Sequence, residues 1–504
     1  MTNPLYDRML AGLKDQDRTF LTLADGSTLS GAAFHALAAR QAGALAEAGL
    51  EPGDRVAVQV AKSPEALAIY AACVMSGVVL LPLNTAYTAA ELEYFINDAK
   101  AGAVICDPAA QAEVSRIVGA NGAQVMTLDK TGQGSFRTAW EAQPDTFAPV
   151  ARKADDLAAL LYTSGTTGRS KGAMLSQTNL ISNAETLVDL WRFGPDDVLL
   201  HMLPIFHTHG LFVATNVILA AGASMIFLPA FDTAEALRLL PQSTSMMGVP
   251  TFYTRLLGDP AFGRDHVANM RVFISGSAPL LAETHVAFEE RTGHRILERY
   301  GMTETNMNTS NPYDGERRAG TVGFPLPDVE LKITDPESSA TLPQGEVGII
   351  EVRGPNVFQG YWNMPEKTAE ELRDDGFFIT GDLGQMDPDG YIQIVGRQKD
   401  LIITGGLNVY PKEIEMVLDD MPGVLESAVI GVPHPDFGEA VVGVLVADGD
   451  GPDMEAVQTA AAAQLAKFKQ PKALRLLPEL PRNTMGKVQK QKLRADFADL
   501  FSGS

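Results

Sequence analysis

Cysteine is nearly absent: in 504 residues only Cys73 and Cys106 occur. Two thiols cannot build a disulfide framework or a thiolate zinc site, and such scarcity suits a reducing, cytoplasmic location. Positive charge is also short, with 40 lysines and arginines against 62 acids and a net charge of −22. A surface that acidic repels phosphate backbones, which argues against sequence-independent nucleic-acid binding. No stretch reads as a membrane span. Residues 198–231 lack Asp, Glu, Lys and Arg, yet they carry His201, His207, Thr208, His209, Asn216, Gly222 and Pro229. A buried helix followed by a core strand is therefore expected there. Residues 1–21 mix Asp7, Arg8, Lys14, Asp15, Asp17 and Arg18 with short apolar pieces, unlike a secretory leader.

What remains is ordinary globular chain, 45% hydrophobic and 20% charged, and long enough for about three structural units. Apolar residues at helical spacing over 29–48 and 65–76 alternate with β-rich runs at 56–60, 78–83, 104–106 and 124–128. Further runs at 158–163 and 272–274 each end in a Gly/Ser loop. This alternation predicts an α/β body with largely parallel sheets. After about residue 320 the texture becomes short strands (329–333, 347–352, 377–380, 391–395). A compact α+β pattern then follows: strand 401–404, helix 411–418, strands 428–432 and 441–446, helix 454–467, strand 473–477 and helix 488–500. The boundaries expected are 1–396 for a large body with a small β-rich subdomain, 397–400 for a connector, and 401–504 for an α+β cap.

The strongest local signal is Tyr162-Thr163-Ser164-Gly165-Thr166-Thr167-Gly168-Arg169-Ser170-Lys171-Gly172, directly after an apolar strand. Glycines let backbone N–H groups approach a polyanion, hydroxyls donate to its oxygens, and Lys171 supplies positive charge. The spacing is not that of a Walker P-loop. Gly168-Arg169-Ser170-Lys171-Gly172 also fits the nucleophile elbow of a serine esterase, but bulky Arg169 and Lys171 flank the serine. No His-Gly-Gly-Gly oxyanion segment accompanies it.

Later segments complete a pattern. Glu298-Arg299-Tyr300-Gly301-Met302-Thr303-Glu304-Thr305 is followed by Tyr361-Trp362 and by Gly376-Phe377-Phe378-Ile379-Thr380-Gly381-Asp382. Gly396-Arg397-Gln398-Lys399-Asp400-Leu401-Ile402-Ile403-Thr404-Gly405-Gly406 and Pro481-Arg482-Asn483-Thr484-Met485-Gly486-Lys487 close the set. In this order the chain resembles the adenylate-forming superfamily over essentially its whole length. Within it, Leu297–Asn308, Asn311-Pro312-Tyr313-Asp314-Gly315, His207-Thr208-His209-Gly210 and Gly248-Val249-Pro250-Thr251 are similar to the malonyl-CoA synthetases.

The resemblance implies two half-reactions: an acid attacks the α-phosphorus of Mg²⁺-bound ATP, then coenzyme A displaces AMP. It implies a mobile cap turning about Lys399, with Thr404, Gly405 and Gly406 forming a loop on the coenzyme A side. Thr163, Ser164, Gly165, Thr166, Thr167, Gly168 and Lys171 would hold the β- and γ-phosphates. Thr303 would donate to the α-phosphate, and Glu304 would ligate Mg²⁺. Ser277, Ala278, Glu298 and Tyr300 would frame the nucleotide base, while Asp382 and Arg397 would take the ribose. Lys487 would bridge acid and α-phosphate, and is a candidate for reversible acetylation by an acetyltransferase/deacetylase pair. The lysine also weighs against a silent nucleotide-binding module. Many relatives acting on monocarboxylic acids carry glycine where this chain has Arg299. A guanidinium there would read a second carboxylate, so the expected acid is malonate, with methylmalonate or another small acid as the alternative. His207 would contact the reacting carboxylate and Ser277 the distal one. An ion pair of Arg299 with Glu298 is the structural alternative. Finally, residues 467–494 hold nine cations against Glu479 alone, which reads as a local attractor for ATP and coenzyme A.

Overall fold

Short capping signals set the elements of the first half. The Ser63 side chain accepts from the Ala66 N–H, Pro64 occupies the first turn, and the helix Pro64–Ser76 stops at left-handed Gly77. Thr88 and Glu91 form a reciprocal capping box that starts the helix Ala89–Ala99. The computed structural model describes residues 2–119, 122–163, 170–404, 407–449, 451–483 and 486–501.

The chain packs as two units. One holds the chain through Glu330 together with Val352–Phe378; the other holds Leu331–Glu351 and the chain from Ile379 onward. The first unit contains two sheets. A six-stranded sheet runs in the order Gln124–Thr127, Ala103–Cys106, Arg55–Gln59, Val79–Pro82, Leu157–Thr163, Lys171–Ser176. It is parallel except for its last pair, an antiparallel hairpin. A nine-stranded sheet is parallel through Thr19–Leu23, Ser224–Phe227, Val198–His201, Ser245–Gly248, Val272–Ser275 and Leu297–Met302. Antiparallel Asn306–Ser310 and Phe324–Pro325 extend it at one end, and Thr28–Ser30 at the other. Parallel strands must be covered on both faces, which is why Val79–Pro82 and Ala103–Cys106 read as unbroken apolar runs.

The remaining strands form two antiparallel-rich sheets. Glu330–Thr334, Gly348–Arg353, Phe378–Met386 and Ile392–Arg397 make a four-stranded sheet. Leu407–Val409, Ile402–Thr404, Gly438–Ala447, Val424–His434 and Ala473–Leu477 make a five-stranded one. On one side of the latter lies an apolar cluster that includes Ile402, Ile414, Leu418, Val441 and Val457; on the other, Ile430, Val442, Leu480 and Leu493. The α/β class is as expected, and three local readings change. Between residues 198 and 231 a strand, Val198–His201, precedes the expected helix and strand. The helix expected over 454–467 ends at Gln464, because Leu465 turns extended to enter the core and Gln470 Nε2 caps the Ala462 and Leu465 carbonyls. The terminal helix is likewise shorter, Lys490–Asp496. No helix among the described residues is long and apolar enough to cross a membrane.

Candidate active site

At the hairpin end of the six-stranded sheet, Thr163 faces Lys171 across the antiparallel ladder. Ser164, Gly165, Thr166, Thr167 and Gly168 lie outside the described residues, so the motif is seen here at its two ends. Lys171 is buried, 8% exposed, and its Nζ lies 3.0 Å from both Glu371 oxygens and 3.0 Å from Tyr361 Oη. Tyr361 Oη is also 2.6 Å from Glu371 Oε2 and 3.1 Å from Glu304 Oε1. Thr163 Oγ1 completes the group at 3.4 Å from Glu304 Oε1. Burial would raise the Glu371 carboxyl, yet hydrogen bonds from Tyr361, Lys367 and Lys171 hold it below its usual range. Burial, then Glu304 and Glu371, push the Tyr361 phenol far above its ordinary value, so it stays a hydrogen-bond donor.

Glu304 and Thr303 occupy the tight turn between Leu297–Met302 and Asn306–Ser310. Gly301 makes that turn possible: a β-carbon there would stand 1.8 Å from the Asn306 carbonyl oxygen. Among the described residues no three His, Cys, Asp or Glu side chains gather to cage a cation. Glu304, a buried carboxylate within hydrogen-bond reach of the Thr163 and Tyr361 hydroxyls, is a hard oxygen donor of the kind that would suit Mg²⁺.

The same strand carries Arg299 into the interior at 3% exposure. Its Nε and Nη2 have no hydrogen-bond partner. The guanidinium lies against Gly276, which follows the neighbouring strand Val272–Ser275. Burial is the main influence on Arg299, bringing it down to about 9 against the opposing pull of Tyr253 and Glu298. The Glu298 carboxylate accepts from the Leu280 N–H instead of closing over Arg299 Nε and Nη2. Ser277, left-handed at φ 73°, places its Oγ 3.2 Å from His209 Nδ1. His209 Nε2 is buried without a partner. Burial, followed by the charge on Arg299, holds His209 neutral, well below its ordinary value. Buried polar nitrogens without partners are rare, and here an arginine and a histidine both supply them.

His209 was missed by sequence reasoning, which favoured His207. It begins a π-helical turn, His209–Thr215, whose Gly210 carbonyl is taken by His201 Nε2 and Thr215 Oγ1. His207 is partly exposed, and its Nδ1 accepts from the His209 N–H. The His-x-His spacing in an uncharged stretch was the available signal; which ring turns inward depends on the π-turn. Gly276 and Glu371 were also missed. Tyr300 and Ala278 lie beside Arg299 and Ser277 in sequence, on the same two segments.

In the second unit, Asp382 and Arg397 face each other across their strands, with Arg397 Nε 2.5 Å from Asp382 Oδ1. Lys399 sits in the 3₁₀ turn Gln398–Asp400, and Asp400 pairs with Arg494 at 2.8 Å. Thr404 ends its strand opposite Leu407; Gly405 and Gly406 fall outside the described residues. Lys487 follows left-handed Gly486 in a turn closed by Asn483 N–H to Lys487 O and by Lys487 N–H to Asn483 Oδ1. The basic segment is less naked than its sequence suggests. Lys469 pairs with Glu413, Arg482 with Glu426, Lys490 with Glu415 and Arg494 with Asp400.

These positions can be set beside known proteins. Residues 11–362 match the family model "AMP-binding enzyme", and residues 413–487 match "AMP-binding enzyme C-terminal domain". A malonate–CoA ligase of Arabidopsis thaliana is 35% identical over 476 residues, 88% of this chain and 78% of that protein. A sulfoacetate–CoA ligase of Cupriavidus necator is 35% identical over 454 residues, 89% of this chain and 88% of that one. The ATP-bound crystal structure of MatB from Rhodopseudomonas palustris is 57% identical with a TM-score of 0.97, covering 99% of this chain and 100% of that one. Matched in order by both models, the first of which covers well over half of its length, the chain belongs to the AMP-binding enzymes.

Proposed function

We propose that this protein is an ATP-dependent malonate–CoA ligase. A malonate carboxylate oxygen attacks the α-phosphorus, the bond to pyrophosphate breaks, and malonyl-AMP forms; the thiol of coenzyme A then displaces AMP. The observation that carries the acid assignment is Arg299, a buried guanidinium with two N–H groups lacking acceptors. Leaving such a cation unpaired costs several kcal/mol, which a substrate's second anion would offset. The relatives named above for malonate and sulfoacetate each act on a small acid with a second anionic group.

The remaining roles follow from the residues. The hydroxyls and backbone N–H groups between Thr163 and Lys171 would meet the β- and γ-phosphates and Thr303 the α-phosphate. Glu304 would hold Mg²⁺, which supplies charge neutralisation on the phosphates. Asp382 and Arg397 would take the ribose, and Ser277, Ala278, Glu298 and Tyr300 the base side. Lys487 would stabilise charge developing during acyl-AMP formation, and acetylation there would remove it. Lys399 would be the pivot of a cap that presents Lys487 and the Thr404–Gly406 loop in turn. Both cysteines are buried and free, in keeping with a cytoplasmic setting.

The test is exchange of labelled pyrophosphate into ATP with malonate, methylmalonate, acetate or propionate supplied. Malonate should be preferred. Arg299→Ala should lose about 3 kcal/mol on malonate and little on the monocarboxylates. If malonate keeps its relative advantage in that variant, Arg299 does not read the second carboxylate.

A further inference from the structure

The lysine of the polar motif is already fully engaged within the protein. An ammonium has three N–H donors. Lys171 Nζ has three acceptors at 3.0 Å: Glu371 Oε1, Glu371 Oε2 and Tyr361 Oη. It also lies 4.1 Å from the centre of the Tyr361 ring. The platform beneath it is built: Trp362 N–H donates to Gly172 O, Met174 N–H to Gly360 O and Gln359 N–H to Met174 O. Tyr361 is thereby laced to the strand that bears Lys171. The Tyr361 hydroxyl has one proton and two carboxylates in reach, Glu371 at 2.6 Å and Glu304 at 3.1 Å. Lys367 Nζ, 3.0 Å from Glu371 Oε1, adds a second cation to that carboxylate.

We infer that Glu371 and Tyr361 are positioning residues for the triphosphate site: they hold Lys171 so that it anchors the strand end facing Thr163, and they orient Glu304, while Lys171 itself does not ligate phosphate. This rests on the nucleotide reading above and deepens it. A lysine aimed at phosphate would need a free donor, and a carboxylate beside it would oppose a polyanion. A lysine acting as an anchor needs that carboxylate.

The two roles separate in a double-mutant cycle read by direct binding of MgATP and, separately, AMP to the full-length protein. As an anchor, Lys171→Met and Glu371→Gln should each weaken MgATP by about tenfold, and the double variant by about tenfold as well, because both remove one interaction. AMP affinity should hardly move, which a general loss of structure would not allow. Tyr361→Phe should raise the Mg²⁺ concentration needed for half-maximal pyrophosphate exchange by severalfold, through Glu304. If Glu371→Gln leaves MgATP binding unchanged or tighter while Lys171→Met weakens it, Lys171 is a phosphate ligand and the proposal falls. Additive losses near a hundredfold overturn it equally. If the unaltered protein binds no MgATP, the nucleotide reading fails instead; if it binds MgATP but malonate drives no exchange, only the acid assignment fails and the cycle still decides.

Discussion

At Gly276 an added β-carbon would stand 2.4 Å from both Cζ and Nη1 of Arg299, far inside van der Waals contact. At that distance something must shift, and the atoms met are the end of the flexible Arg299 side chain, so Gly276→Ala should displace the guanidinium and reproduce the Arg299→Ala phenotype. Malonate activity should fall by at least tenfold relative to propionate, with the thermal midpoint nearly kept; unchanged selectivity would show that the guanidinium's place is immaterial. Arg299 was legible in the sequence because a charge stood inside a recognisable motif. Gly276 was not, since its meaning depends on which strand lies beside it. Glu371 was hidden by distance, 200 residues from the lysine it holds. Another residue reports on acidity. Burial raises the Asp419 carboxyl to about 6, against a hydrogen bond from Ser427 and the charge of Lys412. A raised acid favours the fold while protonated, so its contribution is full below the unfolded value near 4 and lost as pH rises through 6. Asp419→Asn should therefore stabilise the protein by about 2 kcal/mol at pH 8 and hardly at pH 4. Denaturant unfolding at both pH values measures this, and an equal gain at each would refute it.

Elements follow the sequence where one signal dominates and depart where tertiary contacts compete. Five strands of the six-stranded sheet fall where apolar runs predicted them, as covered parallel strands favour; the sixth, Lys171–Ser176, begins inside the polar motif and was not read as a strand. Helix ends were less legible: the stop at Gln464 depends on Leu465 entering a core and on Gln470 reaching back, neither of which local propensity encodes. The 3₁₀ turn Gln398–Asp400 links the strand Ile392–Arg397 to Ile402–Thr404 and is the connector on which the proposed cap rotation depends. Proline at Lys399 would fix φ and remove an N–H without touching Asp382 or Arg397. Lys399→Pro should leave malonate-dependent pyrophosphate exchange within severalfold of normal while reducing transfer to coenzyme A by about a hundredfold. Normal overall turnover in this variant would place the pivot elsewhere.

Over the whole molecule, a net charge of −22 opposes two polyanionic substrates. Sequence alone cast residues 467–494 as the remedy, but four of those cations are matched by acids folded against them. Pairing of this kind is invisible in a linear count, because Glu413, Glu415 and Glu426 lie far upstream. Long-range attraction should thus be weak: kcat/KM for coenzyme A should change by less than about threefold between 20 and 200 mM salt, where eight uncompensated charges would give a tenfold fall or more. Stopped-flow or steady-state rates across that range decide the matter. The order of the strands has a consequence of another kind. All strands of the nine-, six- and four-stranded sheets precede Gln398, and all strands of the five-stranded sheet follow Asp400. A gene joined to that of a relative at this short turn would inherit every sheet whole from one parent or the other, so recombination there separates no strand from its neighbour.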